Sequence, residues 1–164
     1  MYNFLYKQEK IINNRQRALT ANIPSGPITR RREKESFMKE VVLNVKGTNK
    51  GHYVPGMISG NTLYISGQLS LDLDTREVCQ GGVREHMRQA LHNVDRVLAA
   101  AGSGREDVVF CRVYVAGIDN WDDVNDEYKK FFGDHKPARI VVDAKELHFG
   151  CLVEVEAIAE CAAG

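Results

Sequence analysis

The 164-residue sequence predicts an α+β fold, with one sheet of about six strands and two helices on one face. Two observations predict this class. Short segments of alternating apolar and polar residues are separated by two longer segments whose apolar residues recur at helical spacing. The connections between these segments are short, so the order β-β-β-α-β-α-β-β is expected to build a single sheet.

Three strands are expected before the first helix. Lys39–Val45 is the first of them, and Gly47–Gly51 is a polar loop. Val54–Ser59 and Thr62–Leu69 are expected to form a hairpin across Gly60-Asn61, a residue pair that suits a tight turn.

The first helix is expected to begin at Gly81-Gly82 and to end at Gly102 and Gly104, because glycine adopts the left-handed conformation in which many helices end. One apolar stripe runs along it, made of Val83, Met87, Ala90, Leu91, Val94, Val97, Leu98 and Ala101. This stripe is expected to pack on the sheet.

The rest of the chain alternates strand, helix and two strands. Val108–Val115 predicts a strand with Val109, Cys111, Val113 and Val115 on one face. The second helix is expected to begin near the N-cap residue Asp119, to stop at Pro137 and to bury Trp121, Val124, Tyr128, Phe131 and Phe132. Ala138–Ala144 and Cys151–Glu160 are the last two strands.

Charge divides the chain into two parts. Lysine plus arginine equals aspartate plus glutamate at 22 each, but residues 1–37 carry eight basic and three acidic residues. We interpret residues 1–37 as a flexible basic extension, upstream-derived or added, and residues 38–164 as one domain. The acidic balance of that domain makes nucleic acid an unexpected partner, and no segment is long and apolar enough to suggest a membrane span.

The cysteines and histidines do not suggest a metal or cofactor site. Cys79, Cys111, Cys151 and Cys161 contain no CxxC pair, which favours a reducing, cytoplasmic compartment. Mitochondrial import through residues 1–37 is the weaker alternative. No metal motif, phosphate loop or dinucleotide motif is present, so we expect neither a metal nor a cofactor.

Arg139 is the most unusual residue of the predicted strands, since it lies among β-branched residues directly after Pro137-Ala138. A guanidinium in such a strand needs an anion. An ion pair with Asp143, four residues further on, and bidentate binding of a ligand carboxylate are equally supported by the pattern.

Two acids on the last strand form a second candidate site. Glu154 and Glu156 share one strand face with Leu152 and Ile158. Neighbouring carboxylates raise each other's pKa, which suits proton transfer, but acids on a solvent-facing strand also keep a sheet soluble. Without further information the solubility role is favoured.

Three more positions are candidates on local grounds. Asn125 borders the apolar stripe of the second helix and needs a hydrogen-bond partner. Tyr53 lies in a glycine-containing loop that can project into a cleft. Gly67 interrupts a strand, which indicates a bulge or a close approach of another group.

Taken together, these residues resemble the motifs of the Rid (reactive-imine deaminase, YjgF-type) family. The matching segments are Ile65-Ser66-Gly67-Gln68, Leu91-His92-Asn93-Val94, Val124-Asn125, Phe131-Phe132, His135-Lys136-Pro137-Ala138-Arg139 and Val153-Glu154-Val155-Glu156-Ala157-Ile158-Ala159. They extend in order from about Gly51 to Ala159. The resemblance implies a chorismate-mutase-like mixed sheet and a homotrimer with sites in the clefts between subunits.

The resemblance also implies an activity like that of RidA-like 2-iminobutanoate/2-iminopropanoate deaminases, which hydrolyse 2-imino acids or enamines to 2-keto acids and ammonia. Arg139 then pairs with the substrate carboxylate and Glu154 positions or activates the attacking water. Tyr53 lies beside the ligand, and Asn125 and the Ser66-Gly67 backbone form the pocket wall.

The sequence departs from the family pattern at three places. Gly51-His52-Tyr53 replaces Gly-Pro-Tyr, and His148-Phe149-Gly150 replaces a Pro-Lys-Asp type of loop. Ile140-Val141 stands where many deaminases have a small residue and a cysteine, so Val141 is expected to contact substrate in a tighter, more apolar pocket.

Two alternative functions are considered, the first because of the change at Ile140-Val141. One is a trimeric sensor of small carboxylates that lacks turnover. The other is ribonuclease activity or inhibition of translation, which is attributed to some relatives.

Overall fold

The computed structural model describes residues 38–46 and 51–161. In this part of the chain, six strands and two α-helices follow the predicted order. They are β1 (Met38–Val41), β2 (Gly56–Ser59), β3 (Thr62–Leu69), α1 (Val83–Ala101), β4 (Val108–Val115), α2 (Trp121–Phe132), β5 (Ala138–Asp143) and β6 (Val153–Glu160). Residues 1–37 and residues 47–50 of the predicted polar loop lie outside the described residues.

The six strands form one mixed sheet in the order β1-β2-β3-β6-β4-β5. All neighbours are antiparallel except β4 and β5, which are parallel and are connected through α2. The predicted hairpin joins β2 to β3, and Gly60 adopts a φ of 64° in its turn. The predicted α+β class is therefore confirmed.

Both helices cover the same face of the sheet, and the apolar core lies between the two layers. The predicted stripe of α1 is buried except for Ala101, which is partly buried. On the sheet it meets Leu63, Val113, Val155 and Ala157, all of which are buried. The opposite face is called the open face below, because most of its side chains remain partly exposed.

The face predicted for Val109 is wrong. Val108 is buried in its place, while Val109 is exposed. The pairing between β4 and β6 shifts here, since Val108 pairs with Ala159 and Phe110 with Ile158. This bulge leaves one extra residue on β4 and moves Val109 out of the alternation.

The start of α2 also differs from the prediction. A short 3-10 turn, Ile118–Asn120, precedes the helix, and the Asn120 amide donates to the carbonyl oxygens of Ala116 and Gly117. Asp119 is therefore not the N-cap residue, and Trp121 is 41% exposed rather than buried. None of the helices in the described ranges is long and apolar enough to cross a membrane.

A buried carboxylate fixes α2 against α1. Glu127 is almost fully buried, and its oxygens lie 3.3 Å from Arg88 Nε and 2.7 Å from Lys130 Nζ. Arg84 lies within 3.6 Å of the same carboxylate. A buried acid needs such partners, and these contacts orient the face of α2 that meets β5.

A buried histidine fixes the start of β6. His86 Nδ1 accepts a hydrogen bond from the Leu152 N–H at 3.1 Å, and the Ser70 hydroxyl lies 2.6 Å from the same atom. Burial lowers the pKa of His86, so the imidazole stays neutral and can accept. The position of Glu154, two residues beyond Leu152, follows from this contact.

Candidate functional site

Arg139 lies on the helix face of β5, beside Cys111 of β4. Its Nη2 donates to Asn125 Oδ1 at 3.1 Å, and its Cζ lies 4.6 Å from the ring centroid of Tyr128. The Trp121 ring is 5.5 Å away. One amide and two aromatic rings on α2 therefore hold the guanidinium without neutralising it.

The Asp143 alternative for Arg139 is not supported. Asp143 Oδ1 accepts the Gly117 N–H at 3.2 Å, and the ion pairs of residues 38–46 and 51–161 do not include Arg139. A partly buried guanidinium that meets only neutral groups retains its capacity for an anion. Its role as a carboxylate anchor stays a prediction.

Val141 lies on the same face of β5 as Arg139, two residues further on. Its side chain packs partly against the core. Ile140, between them, points to the open face and is 48% exposed. Of the two residues that depart from the family pattern, only Val141 is thus beside Arg139.

Glu154 lies on the open face, against the backbone of Gly67. A Cβ at Gly67 would be 2.9 Å from Glu154 Cδ, so only glycine leaves room for the carboxylate. The pairing of β3 with β6 shifts between Ile65 and Gln68, which confirms the predicted irregularity at Gly67.

The surroundings of Glu154 favour its protonated form. Burial raises the pKa of Glu154, and the neighbouring Glu156 raises it further, while His148 acts in the opposite direction. Glu156 is itself ion-paired with Arg112. The two acids therefore differ in environment, and Glu154 is the one suited to proton transfer.

Ser66 connects the bulge to the preceding loop. Its hydroxyl donates to the Val54 carbonyl at 2.7 Å, and its N–H donates to the Pro55 carbonyl at 3.0 Å. Tyr53 and Gly67 line one cavity of about 690 Å³ next to this loop. Three predicted site residues, Tyr53, Ser66 and Gly67, are thus gathered with Glu154 at one end of the sheet.

Within one chain, the predicted site is divided into two half-sites. Arg139, Asn125 and Val141 are on the helix face at the β5 edge, whereas Glu154, Gly67, Ser66 and Tyr53 belong to the open face and its end loops. Strand β4 separates them in the sheet. Arg139 and Glu154 therefore face opposite sides of the sheet within the chain.

Comparison with known proteins agrees with this arrangement of motifs. The family model described as Endoribonuclease L-PSP, the Rid family, matches residues 46–161. This chain belongs to the Rid family.

Two curated relatives and one solved structure illustrate the range of the family. A bovine 2-iminobutanoate/2-iminopropanoate deaminase is 37% identical over 125 residues, covering 76% of this chain and 91% of that protein. A RutC family protein of Pyrococcus horikoshii is 36% identical, covering 74% and 98%. The crystal structure of E. coli TdcF with bound serine is 28% identical with a TM-score of 0.70, covering 76% and 99%.

The sequence analysis did not identify two aromatic residues that contact the Arg139 guanidinium in this half-site. Trp121 and Tyr128 were expected to be core residues of α2, yet both rings face the guanidinium. The signal was present, because Trp121, Asn125 and Tyr128 have the spacing i, i+4, i+7 that places residues on one helix face. Tyr128 is 7% exposed, and its buried hydroxyl lies beside the Cys111 thiol.

Gly67→Ala is expected to reduce the imine hydrolysis that the resemblance implies far more than it reduces the stability of the fold. The added Cβ overlaps the end of the Glu154 side chain. This flexible side chain can rotate away at little cost in stability, but its carboxylate then no longer lies against residue 67. Turnover should fall by about tenfold or more, since displacement of a catalytic group by about 1 Å is costly. Steady-state kinetics and thermal unfolding measure the two effects, with Gly60→Asn in the distant β2–β3 turn as the control. A fully active Gly67→Ala protein would show that the Glu154 position is not required.

Proposed function

We propose that this protein hydrolyses reactive 2-imino acids, or their enamine tautomers, to 2-keto acids and ammonia in the clefts of a homotrimer. The observation that carries the proposal is the Arg139 guanidinium, which is held by Asn125 and Tyr128 and meets no carboxylate among the described residues. A planar guanidinium binds a carboxylate through two parallel hydrogen bonds, which orients the adjacent imine carbon.

The chemistry needs one proton acceptor and no cofactor. Water adds to the electrophilic iminium carbon, and the Glu154 carboxylate takes the proton that the water loses. The protonated Glu154 then gives this proton to the amine of the tetrahedral intermediate. As the C–N bond breaks and ammonia leaves, the Glu154 carboxylate takes the proton of the hydroxyl group and the carbonyl forms. Glu154 finally loses that proton to the released ammonia, which departs as ammonium. Burial raises the pKa of Glu154, so the protonated and deprotonated forms of its carboxyl group are closer in free energy near neutral pH. Such a group can both accept and donate a proton during the reaction.

Two observations support assembly of the site from two chains. Arg139 and Glu154 lie on opposite faces of the sheet, so one chain does not bring them together. The open face exposes Tyr64 at 50% and Ile140 at 48%, apolar surface that a second copy can cover. Closed rotational symmetry would give each copy the same two half-sites.

The relatives support a small carboxylate as the ligand. One curated relative is named a 2-iminobutanoate/2-iminopropanoate deaminase, and the TdcF structure contains serine. Both ligand types present a carboxylate next to a nitrogen-bearing carbon, as the proposed substrate does.

The decisive assay mixes the protein with a dehydratase that releases 2-iminobutanoate or 2-iminopropanoate and measures the rate of keto acid formation. Acceleration over spontaneous hydrolysis is expected. Keto acid binding without acceleration would favour the sensor alternative, whereas RNA cleavage by the repurified protein would favour the ribonuclease alternative. Either result without imine hydrolysis contradicts the proposal.

A mixing experiment tests the shared site. Arg139→Gln and Glu154→Gln chains, each with strongly reduced activity alone, are co-refolded in equal amounts. If every site takes Arg139 from one copy and Glu154 from the next, random trimers should recover about a quarter of the wild-type activity. A site within one chain would recover none, which would contradict the inter-subunit part of the proposal.

A further inference from the structure

A large cavity lies at the end of the sheet where Gly67 meets the loops. Its volume is about 690 Å³, and most of its wall is apolar, formed by Leu43, Val45, Leu69, Leu71, Leu73 and Phe149. Of these six residues, only Leu71 is buried in the chain, and Phe149 is 59% exposed. Leu43 packs partly against the core, while the other exposed residues of the wall present apolar surface to the cavity.

The cavity adjoins the Glu154 half-site through Gly67. Gly67 lines it and also supports the Glu154 carboxylate, and Tyr53 forms part of the same wall. His148, whose charge acts on Glu154, lines it next to Phe149. A molecule that reacts beside Glu154 thus has its remaining atoms next to this apolar wall.

We infer that the preferred imino acid carries a large apolar side chain, branched or aromatic, which lies in the cavity between Leu73 and Phe149. The inference rests on the proposed function. A methyl or ethyl group, as in the substrates after which the relatives are named, would leave most of the cavity wall in contact with water. Each further methylene that is buried there strengthens binding by about fourfold.

The composition of the wall favours an apolar occupant over an acidic one. Arg76 and His148 are its two basic residues, and Arg76 is exposed, so solvent screens its charge. The Leu71 and Leu73 side chains belong to the same turn segment as Arg76 and face the cavity with it. A ligand with a second carboxylate in this space would lose hydration of that charge while contacting four leucine side chains, which is unfavourable.

Stable 2-keto acids test the inference without requiring turnover. Calorimetry with the full chain compares pyruvate, 4-methyl-2-oxopentanoate, phenylpyruvate and 2-oxoglutarate. The two large apolar acids are expected to bind at least about tenfold more tightly than pyruvate. Equal affinities, preference for 2-oxoglutarate, or no binding of any keto acid would overturn the inference.

Phe149→Ala locates the preference in the cavity. The exposed position of Phe149 leaves the fold intact, and the variant should lose most of the advantage of phenylpyruvate while binding pyruvate as before. Val42→Ala is the matched control, since Val42 is 78% exposed next to Leu43 and does not line the cavity. Leu73→Ala should repeat the effect for 4-methyl-2-oxopentanoate, and an unchanged preference in both cavity variants would overturn the inference.

A comparison of imine hydrolysis with keto acid binding separates this inference from the proposed function. Imines of leucine and phenylalanine should be hydrolysed faster than the imine of alanine. If large keto acids bind preferentially but no imine is hydrolysed, the proposed function fails and the apolar preference stands. If all imines are hydrolysed at equal rates and all keto acids bind equally, the function stands and the preference fails.

Discussion

Replacement of Arg139 by glutamine is expected to reduce turnover of 2-imino acids by about 10²-fold or more, with most of the loss in substrate binding. Glutamine keeps a side chain that can reach Asn125 and the Tyr128 ring, but it removes the charge and the two parallel donors. Arg139→Lys should recover only part of the activity, because an ammonium provides a point charge without the planar pair of donors.

Kinetics with the imine assay and calorimetry with keto acids measure this effect on two independent scales. Arg96→Gln is the matched control, because Arg96 on α1 forms a surface ion pair with Asp74 at 3.0 Å and lies outside both half-sites. Wild-type affinity for keto acids in Arg139→Gln would show that the carboxylate is bound elsewhere.

Replacement of Glu154 by glutamine is expected to reduce turnover by about 10² to 10⁴-fold while keto acid binding changes little. Glutamine has the shape of the carboxyl group and still fits against Gly67, but it cannot accept a proton from water. The wild-type rate should also fall as the pH drops through the raised pKa of Glu154, and this acid limb should be absent from the residual activity of the variant.

The same substitution is expected to stabilise the protein at neutral pH. Burial and Glu156 raise the pKa of Glu154, so the fold favours the protonated carboxyl group. The stability from this preference is complete below the unfolded pKa of about 4.3 and is lost as the pH rises through the folded pKa. Glutamine remains neutral at every pH, so Glu154→Gln should melt at a higher temperature than the wild type at pH 7.

Thermal unfolding at pH 4 and pH 7 checks the sign, because the difference in melting temperature should shrink at the lower pH. Glu160→Gln is the control, since Glu160 lies on the same strand but is exposed at its end. A Glu154→Gln protein that is less stable at pH 7 and as active as the wild type would contradict both expectations.

The order of elements could be predicted from the sequence because each one satisfies a local rule. The α1 stripe has helical spacing, and Gly102 ends the helix with a φ of 75°. One error, at the start of α2, arises from the 3-10 turn that precedes the helix. The other occurs where pairing between strands overrides the alternation of a single strand. Val109 is an apolar residue at a position where the alternation predicts burial. Because of the bulge against β6, Val108 is buried instead and Val109 is exposed.

The candidate site could be predicted residue by residue but not as an arrangement. Arg139 and Gly67 are anomalies within their own strands, so the sequence alone identifies them. The close approach of Glu154 to Gly67 depends on the register between β3 and β6. This register is a long-range property that no local pattern in the sequence reveals. The apolar cavity is built from separate loops, and no local pattern brings Leu43, Leu73 and Phe149 together.

The placement of Arg139 and Glu154 on opposite faces of one sheet has a genetic consequence under the proposed trimer. Each polypeptide serves two reaction centres, giving the arginine to one and the acid to another. A chain that lacks only one of these residues inactivates one reaction centre of its trimer. A chain that lacks both residues inactivates two of the three centres. In a cell with one normal and one doubly defective allele, the loss of activity should therefore exceed half, and the defective allele should behave as dominant.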